Sequence, residues 1–88
     1  MLQNTFSAFD KKGQFFLGTF NARSDAEASR MFGDAVRQGK SLVAEHPEDY
    51  SLYKLGSFDD CSGKIEGEVT PIFVCEAMMF VPVTPVSE

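Results

Sequence analysis

The chain has 88 residues, of which 43% are hydrophobic and 12% aromatic, so it suits one small folded domain and is too apolar for a disordered chain. Eight Lys and Arg oppose 13 Asp and Glu, and the net charge of −5 disfavours a protein that coats nucleic acid through charge alone. This charge balance still allows the protein to bind single-stranded nucleic acid by stacking bases on aromatic side chains. No segment approaches the ~18 apolar residues of a membrane helix. Two cysteines without a zinc-site spacing or a signal peptide predict free thiols in a reducing cytosol.

The first 20 residues predict a β-hairpin. Residues 4–9 and 14–20 are strand-like, and residues 10–13 supply the turn. By simple alternation, Phe16 and Phe20 share one face of the return strand, and Phe15 and Leu17 share the other. Because one helix covers only one face of a sheet, we expect the second apolar face to meet a second copy of the chain or a stacked base.

An amphipathic helix is predicted over residues 25–38. Ser24 and Glu27 form a capping box, and Gly39 is a natural left-handed stop. The apolar positions recur at helical spacing and predict the side that packs on the sheet. These positions are Ala28, Met31, Phe32, Ala35 and Val36.

The rest of the chain predicts further strands. Residues 50–58 give the strongest strand pattern, with Tyr50, Leu52, Lys54, Gly56 and Phe58 on one face. Residues 41–45 are ambiguous between a helical turn and extended chain. Residues 64–69 predict a partner strand in which Gly67 marks a bulge, and residues 71–81 favour a last strand over a short helix. Residues 83–88 predict an extended or disordered tail after a single domain over residues 1–82.

Together these elements predict an α+β fold. We expect an antiparallel sheet of four to five strands in a ββαββ-like order, with one amphipathic helix on one face. We expect the other face, with its excess of Phe and Tyr, to close a homodimer.

No constellation of residues indicates an enzyme or a metal site. His46 is the only histidine, and beside Glu48 and Asp49 it is better explained as a turn residue before proline. Asp59 and Asp60 lack the ligand spacing of a calcium loop. Cys61 has no base near it in the sequence, and no phosphate-binding glycine motif is present. We therefore expect no catalysis, no metal and no cofactor.

Aromatic and basic residues interleave along the predicted sheet and helix. Such a surface could stack unpaired bases and hold phosphates, or the rings could simply form the core or a dimer interface. The candidate nucleic-acid-binding residues are Lys11, Lys12, Arg23, Arg30, Arg37, Lys54, Phe15 and Tyr53.

Three segments carry a resemblance to a known family. They are the opening Phe-Ser-Ala-Phe-Asp-Lys-Lys-Gly hairpin, the Asp-Ala-Glu-Ala-Ser-Arg-Met-Phe helix and the stretch from His46 to Asp60. Over residues 5–63 the chain resembles the small non-structural protein of Microviridae, in the gokushovirus-like lineages of single-stranded DNA phages. The resemblance implies a protein of the host cytoplasm that acts in viral genome replication. It implies binding of single-stranded DNA, or a switch role when synthesis turns to the packaged strand.

A protein-interaction module without nucleic-acid contact is the alternative. Such a module would recognise a viral or host partner, for example a replication protein, through the aromatic face. The position of the cations discriminates between the two, because DNA binding requires them on one side of this acidic protein. These cations are Lys11, Lys12, Arg23, Arg30, Arg37 and Lys54.

Overall fold

The computed structural model describes residues 1–39 and 41–81. The strands are β1 (Leu2–Asp10), β2 (Phe15–Ala22), β3 (Tyr50–Asp59) and β4 (Ile65–Glu76). The helices are α1 (Asp25–Gln38) and the single turn α2 (Leu42–Glu45), with 3-10 turns at Pro47–Asp49 and Ala77–Phe80. All pairs are antiparallel in the order β2-β1-β3-β4, which confirms the predicted α+β fold. The predicted tail over residues 83–88 lies outside the described residues.

The caps predicted for α1 are present. The Ser24 hydroxyl accepts the Glu27 N–H at 3.1 Å, and the Glu27 carboxylate accepts the Arg23 N–H at 3.1 Å. Gly39 ends the helix at φ 73°, a left-handed conformation that glycine adopts without a steric penalty. Ser41 caps α2 in the same way, so the ambiguous segment after Gly39 contains a helical turn.

The core lies between α1 and one face of the sheet, which we call the covered face. Phe32 of α1 is 4% exposed, and Phe6 and Leu52 of the central strands are fully buried. The short helical elements contribute Val43 and Ala77 to the same core. In the described part of the chain, the buried apolar residues of this core are Phe6, Ala8, Ala22, Ala28, Phe32, Val36, Val43, Tyr50, Leu52, Cys75 and Ala77.

A β-bulge in β2 changes which side chains share a face. Between the partners of Ser7 and Phe9, β2 holds one residue more than β1. Phe20 therefore packs on Phe6 in the core at 5.9 Å between ring centroids, whereas Phe16 packs on Phe9 at 4.8 Å on the opposite face. The prediction that Phe16 and Phe20 share a face is wrong, because an inserted residue reverses the alternation of a strand.

A second bulge does the same in β3. Lys54 pairs with Phe6 on the covered face, but Gly56 pairs with Thr5, so Leu55 is the extra residue. The prediction that Lys54 and Gly56 share a face is therefore wrong, because the extra residue Leu55 reverses the alternation of the strand between them.

The last strand is longer than predicted. β4 runs through both predicted segments, and residues 68–71 face a single residue of β3 before regular pairing resumes. This irregularity directly follows Gly67, where the sequence predicts a bulge. Residues 77–80 form a 3-10 turn instead of strand, and the Phe80 ring meets the Phe32 ring edge to face at 6.2 Å.

Candidate functional site

One aromatic side chain from each strand lies on the face of the sheet opposite α1, which we call the open face. In the order of the strands β2, β1, β3 and β4 they are Phe16, Phe9, Tyr53 and Phe73. Consecutive ring centroids are 4.8, 6.0 and 5.8 Å apart. Phe73 is 52% exposed, and the other three are half-buried. We call these four side chains the aromatic row.

The strand register builds the aromatic row. Phe9 and Phe16 are direct partners across β1 and β2, and Tyr53 and Phe73 are direct partners across β3 and β4. The ring of Tyr53 also meets that of Phe16 edge to face at 5.8 Å. These contacts place the rings mostly edge to face, the geometry that aromatic quadrupoles favour, and they leave one side of the row exposed. None of the helical elements in residues 1–39 and 41–81 packs over it.

A cleft of about 450 Å³ adjoins the aromatic row along the strands. Phe58 and Gly56 line it, together with Thr5, Thr19 and Asn21. The Thr5 hydroxyl donates to the Asn21 side-chain oxygen at 2.8 Å, so the Asn21 amide N–H groups are that side chain's remaining donors. The cleft therefore combines one ring with hydroxyl and amide groups.

An ion pair borders the row on the side away from the cleft, at the ends of β1 and β4. The Lys11 ammonium lies 2.8 Å from the Glu76 carboxylate, which also accepts the hydroxyl of the buried Ser51 at 2.8 Å. The hydrogen bond from Lys11 is the main reason that the pKa of Glu76 lies below its ordinary value, against a smaller opposing effect of burial. The Lys11 charge, which borders the row, is thus paired within the protein.

The predicted cations do not converge on one surface. Lys12 lies in the turn between β1 and β2, and Arg23 precedes α1. Arg30 and Arg37 belong to α1, on the covered side of the sheet; Arg37 pairs with Asp34 at 2.7 Å and lies 5.8 Å from the Phe80 ring centroid.

The remaining predicted residues divide between the two faces. Lys54 lies on the covered face and pairs with Glu68 at 3.8 Å. Phe15 is 53% exposed and lies on the opposite side of β2 from Phe16. Of the eight predicted site residues, only Tyr53 belongs to the aromatic row, and Lys11 borders it. Phe73 is not among the site residues that the sequence predicts, because nothing in its own segment indicates that it pairs with Tyr53.

Within residues 1–39 and 41–81, two groups of potential metal ligands lie at the surface. In each, the ligand atoms lie within 4.8 Å of one another: His46, Glu48 and Asp49 in one group, and Asp59, Asp60 and Cys61 in the other. Each group consists of sequence neighbours in a turn. The Asp59 carboxylate accepts the Cys61 N–H at 2.9 Å, which is the largest cause of its lowered pKa. Turn structure accounts for these residues, and the expected absence of a metal stays a prediction.

The two cysteines are free thiols, one exposed at Cys61 and one buried at Cys75. Burial raises the pKa of the Cys75 thiol, which lies 3.8 Å from the Ser29 hydroxyl. A buried thiol with a raised pKa is a poor nucleophile. Cys75 is therefore best described as a core residue.

No helix in the described ranges is long and apolar enough to cross a membrane.

Comparisons with known proteins identify a family. No curated protein and no solved structure matches the chain. One family model, described as Phage ORF5 protein, matches residues 3–80, which is most of the chain. The chain therefore belongs to the Phage ORF5 protein family and is a phage protein.

Proposed function

We propose that this protein is a non-enzymatic accessory factor of phage genome replication, and that it works by binding a replication protein through the aromatic row. The observation that carries the proposal is the row itself, with one ring from each strand on an uncovered face. Exposed aromatic side chains gathered in one patch are typical of protein interfaces. The replication role rests on the resemblance to the Microviridae non-structural protein.

The charge distribution favours a protein over DNA as the partner. Strong binding to a phosphate backbone requires several cations on the binding surface. Here Lys11 is paired with Glu76, and Arg30 and Arg37 lie on the other side of the sheet. A protein partner needs no such cations, because apolar burial and shape can supply its affinity.

Single-stranded DNA is the second candidate, and the cleft beside the row is the observation that favours it. Sheet-face aromatics stack bases at roughly 1–3 kcal/mol per base. Asn21 and the two threonines of the cleft offer hydrogen-bonding groups for base edges. With few phosphates neutralised, such binding would be modest and would weaken only slowly as salt is raised.

Substitutions of two equally exposed rings, one on the open face and one on the other side of the sheet, test whether the open face is the binding surface. Phe73→Ser removes an aromatic-row side chain that is 52% exposed, and Phe15→Ser removes one that is 53% exposed on the other side of the sheet. Because both rings are half exposed, we expect both variants to fold. The wild type and both variants are titrated with each replication protein encoded by the same phage, and with labelled single-stranded and duplex oligonucleotides at two salt concentrations.

Three outcomes distinguish the candidates. Binding to a replication protein that is lost in Phe73→Ser and kept in Phe15→Ser supports the proposal. Single-strand binding with the same pattern and no protein binding replaces it with the second candidate. If no partner binds, or if binding is indifferent to Phe73, the aromatic row is not the functional surface.

A further inference from the structure

Gly67 in β4 lacks a side chain although the fold does not require glycine there. It is not among the glycines with a positive φ, so its backbone conformation is open to other residues. A Cβ atom at Gly67 would meet nothing closer than the Leu55 carbonyl oxygen, at 3.9 Å. Its partner Gly56 is different, because a Cβ atom there would collide with the backbone of Glu66. A glycine inside a strand that no backbone crowds often marks the close approach of a ligand.

The missing side chain keeps open the cleft of about 450 Å³ beside the aromatic row. Gly67 and Gly56 both line this cleft. Ile65 lines it as well and lies two residues before Gly67, so a side chain at Gly67 would extend from the same strand face into the cleft. The volume lies within the range of small-ligand sites, about 300–1,000 Å³. The cleft is therefore large enough for a small molecule, and Gly67 contributes to that space.

Polar groups meet one aromatic ring in the cleft. The Thr5 hydroxyl donates to the Asn21 side-chain oxygen at 2.8 Å, which leaves the amide N–H groups of Asn21 as donors to an occupant. The Thr19 hydroxyl can donate or accept, and the Phe58 ring supplies apolar surface. A purely apolar occupant would bury the amide and the hydroxyl without partners, at a cost in free energy. The cleft therefore suits an occupant that has both an apolar face and hydrogen-bonding groups.

The charge of the lining favours an uncharged occupant. Among the described residues that line the cleft, none is Lys, Arg or His, and Glu66 is the one ionisable side chain. A phosphate or carboxylate group in the cleft would face this carboxylate with no cation to offset it. A cationic occupant would have to compete with Lys64, whose ammonium lies 3.4 Å from the Glu66 carboxylate.

We propose that the cleft binds a small uncharged ring compound, which has one apolar face and edge groups that both donate and accept hydrogen bonds. The apolar face would lie against Phe58, and the edge groups would bond to Asn21 and Thr19. Sugar rings and free nucleosides share this chemistry. The inference does not rest on the proposed function, because the side chains of the aromatic row do not line the cleft.

Ligand-detected NMR on the full chain tests the site with matched pairs of probes. The probes are glucose, N-acetylglucosamine and the common deoxynucleosides, and each is paired with its phosphate ester. We expect at least one uncharged probe to bind and its phosphate ester to bind at least tenfold more weakly. Backbone amide shifts with the bound probe should concentrate in residues 19–21, 56–58 and 65–67. The set of probes that binds distinguishes a sugar from a nucleoside.

Substitutions that fill the cleft or remove its donors locate the binding. Gly67→Val should weaken binding at least tenfold, because the side chain enters the cleft, and it should not lower the melting temperature, because valine favours strands. Asn21→Ala changes an exposed residue and should also weaken binding at least tenfold. Gly18→Val replaces another strand glycine that has free space around it and is the matched control. Binding to Gly18→Val and to Phe73→Ser should be unchanged.

Three results would overturn the proposal. The first is that no uncharged probe binds, or that the phosphate esters bind as tightly as the uncharged probes. The second is that binding is unchanged in Asn21→Ala and in a folded Gly67→Val. The third is a single-stranded oligonucleotide that binds at least tenfold more tightly than the nucleosides and loses this binding in Gly67→Val, because the cleft would then belong to a DNA surface. Probe binding that survives Phe73→Ser keeps this test separate from that of the aromatic row.

Discussion

At the scale of single residues, Phe32 connects α1 to the sheet. It is 4% exposed and meets Phe80 edge to face. Its neighbour Met31 is 44% exposed, so the helix places adjacent residues in very different environments. This contrast provides a matched pair for measuring the contribution of the core.

Phe32→Ala should destabilise the fold by about 3–5 kcal/mol, because it removes a buried ring and leaves a cavity. In a domain of this size such a loss approaches the whole stability. Met31→Ala should cost much less. Denaturant melts of both variants measure the difference, and a loss below about 1 kcal/mol for Phe32→Ala would mean that the ring is not part of the core.

Glu76 makes stability depend on pH. Its pKa in the folded protein lies below the ordinary value of 4.5, mainly through the hydrogen bond from Lys11. A carboxylate whose pKa is lower in the folded protein than in the unfolded chain stabilises the fold when the pH is above its unfolded-state pKa. This stabilisation is lost as the pH falls through its folded-state pKa. Because the carboxylate side chain is 40% exposed, we expect Glu76→Gln to cost at most about 1 kcal/mol at pH 7.

The cost of Glu76→Gln should disappear in acid. Thermal melts from pH 7 to pH 3 should show the wild-type and Glu76→Gln curves converging below the folded pKa of Glu76, since both side chains are then neutral. Glu48→Gln, whose carboxylate makes no ion pair in the described residues, is the control and should track the wild type at neutral pH. A gap between wild type and Glu76→Gln that persists or widens in acid would contradict this assignment.

At the scale of elements, the approach of β3 to β4 depends on Gly56. Gly56 is buried, pairs with Gly67, and lies where a side chain would collide with the carbonyl oxygen of Glu66. The obstacle is backbone, so it cannot move without displacing the first half of β4. The register of this strand pair therefore rests on a residue with no side chain.

Gly56→Ala should destabilise the protein by about 1–3 kcal/mol, the usual cost of forcing an extra carbon into a packed site. Gly18→Ala is the control, because a methyl group at that strand position meets no neighbour within 4 Å. Denaturant melts compare the two, and amide exchange should show loss of protection in residues 65–67 for Gly56→Ala. Equal stability of the two variants would show that β4 can move aside without cost.

At the scale of the whole molecule, the open face predicts self-association. We expect a dimer in which two aromatic rows cover each other, as the sequence predicts from its excess of Phe and Tyr. Because the proposed replication protein binds the same row, it should compete with this dimer. Each copy carries a charge of −5, so added salt should strengthen the association by screening repulsion. Light scattering coupled to size exclusion at micromolar concentration measures both effects.

The same two substitutions, one on each face of the sheet, also test where the dimer contact lies. Phe73→Ser should weaken the dimer, and Phe15→Ser should leave it unchanged. A wild type that stays monomeric over the whole concentration range would leave the aromatic row free for a different partner. A dimer indifferent to Phe73 would place the contact elsewhere on the surface.

The sequence by itself determined the local features of this protein. Ser24, Glu27 and Gly39 predict the ends of α1 correctly, because caps act on backbone groups within a few residues. The helical stripe likewise identifies Phe32 as a core residue. The two hairpins, β1 with β2 and β3 with β4, follow from turn chemistry that is equally local. The pairing of β1 with β3, which joins them into one sheet, links distant segments.

Only the tertiary structure decided the candidate site. The aromatic row exists because two strand pairs bring Phe9 to Phe16 and Tyr53 to Phe73. Single inserted residues in β2 and β3 reverse the alternation on which a sequence-based assignment of faces relies, and the bulges that result depend on pairing with distant strands. The same pairing places Arg30 and Arg37 away from the row, because α1 covers the face that carries Phe6 and not the face that carries Phe9.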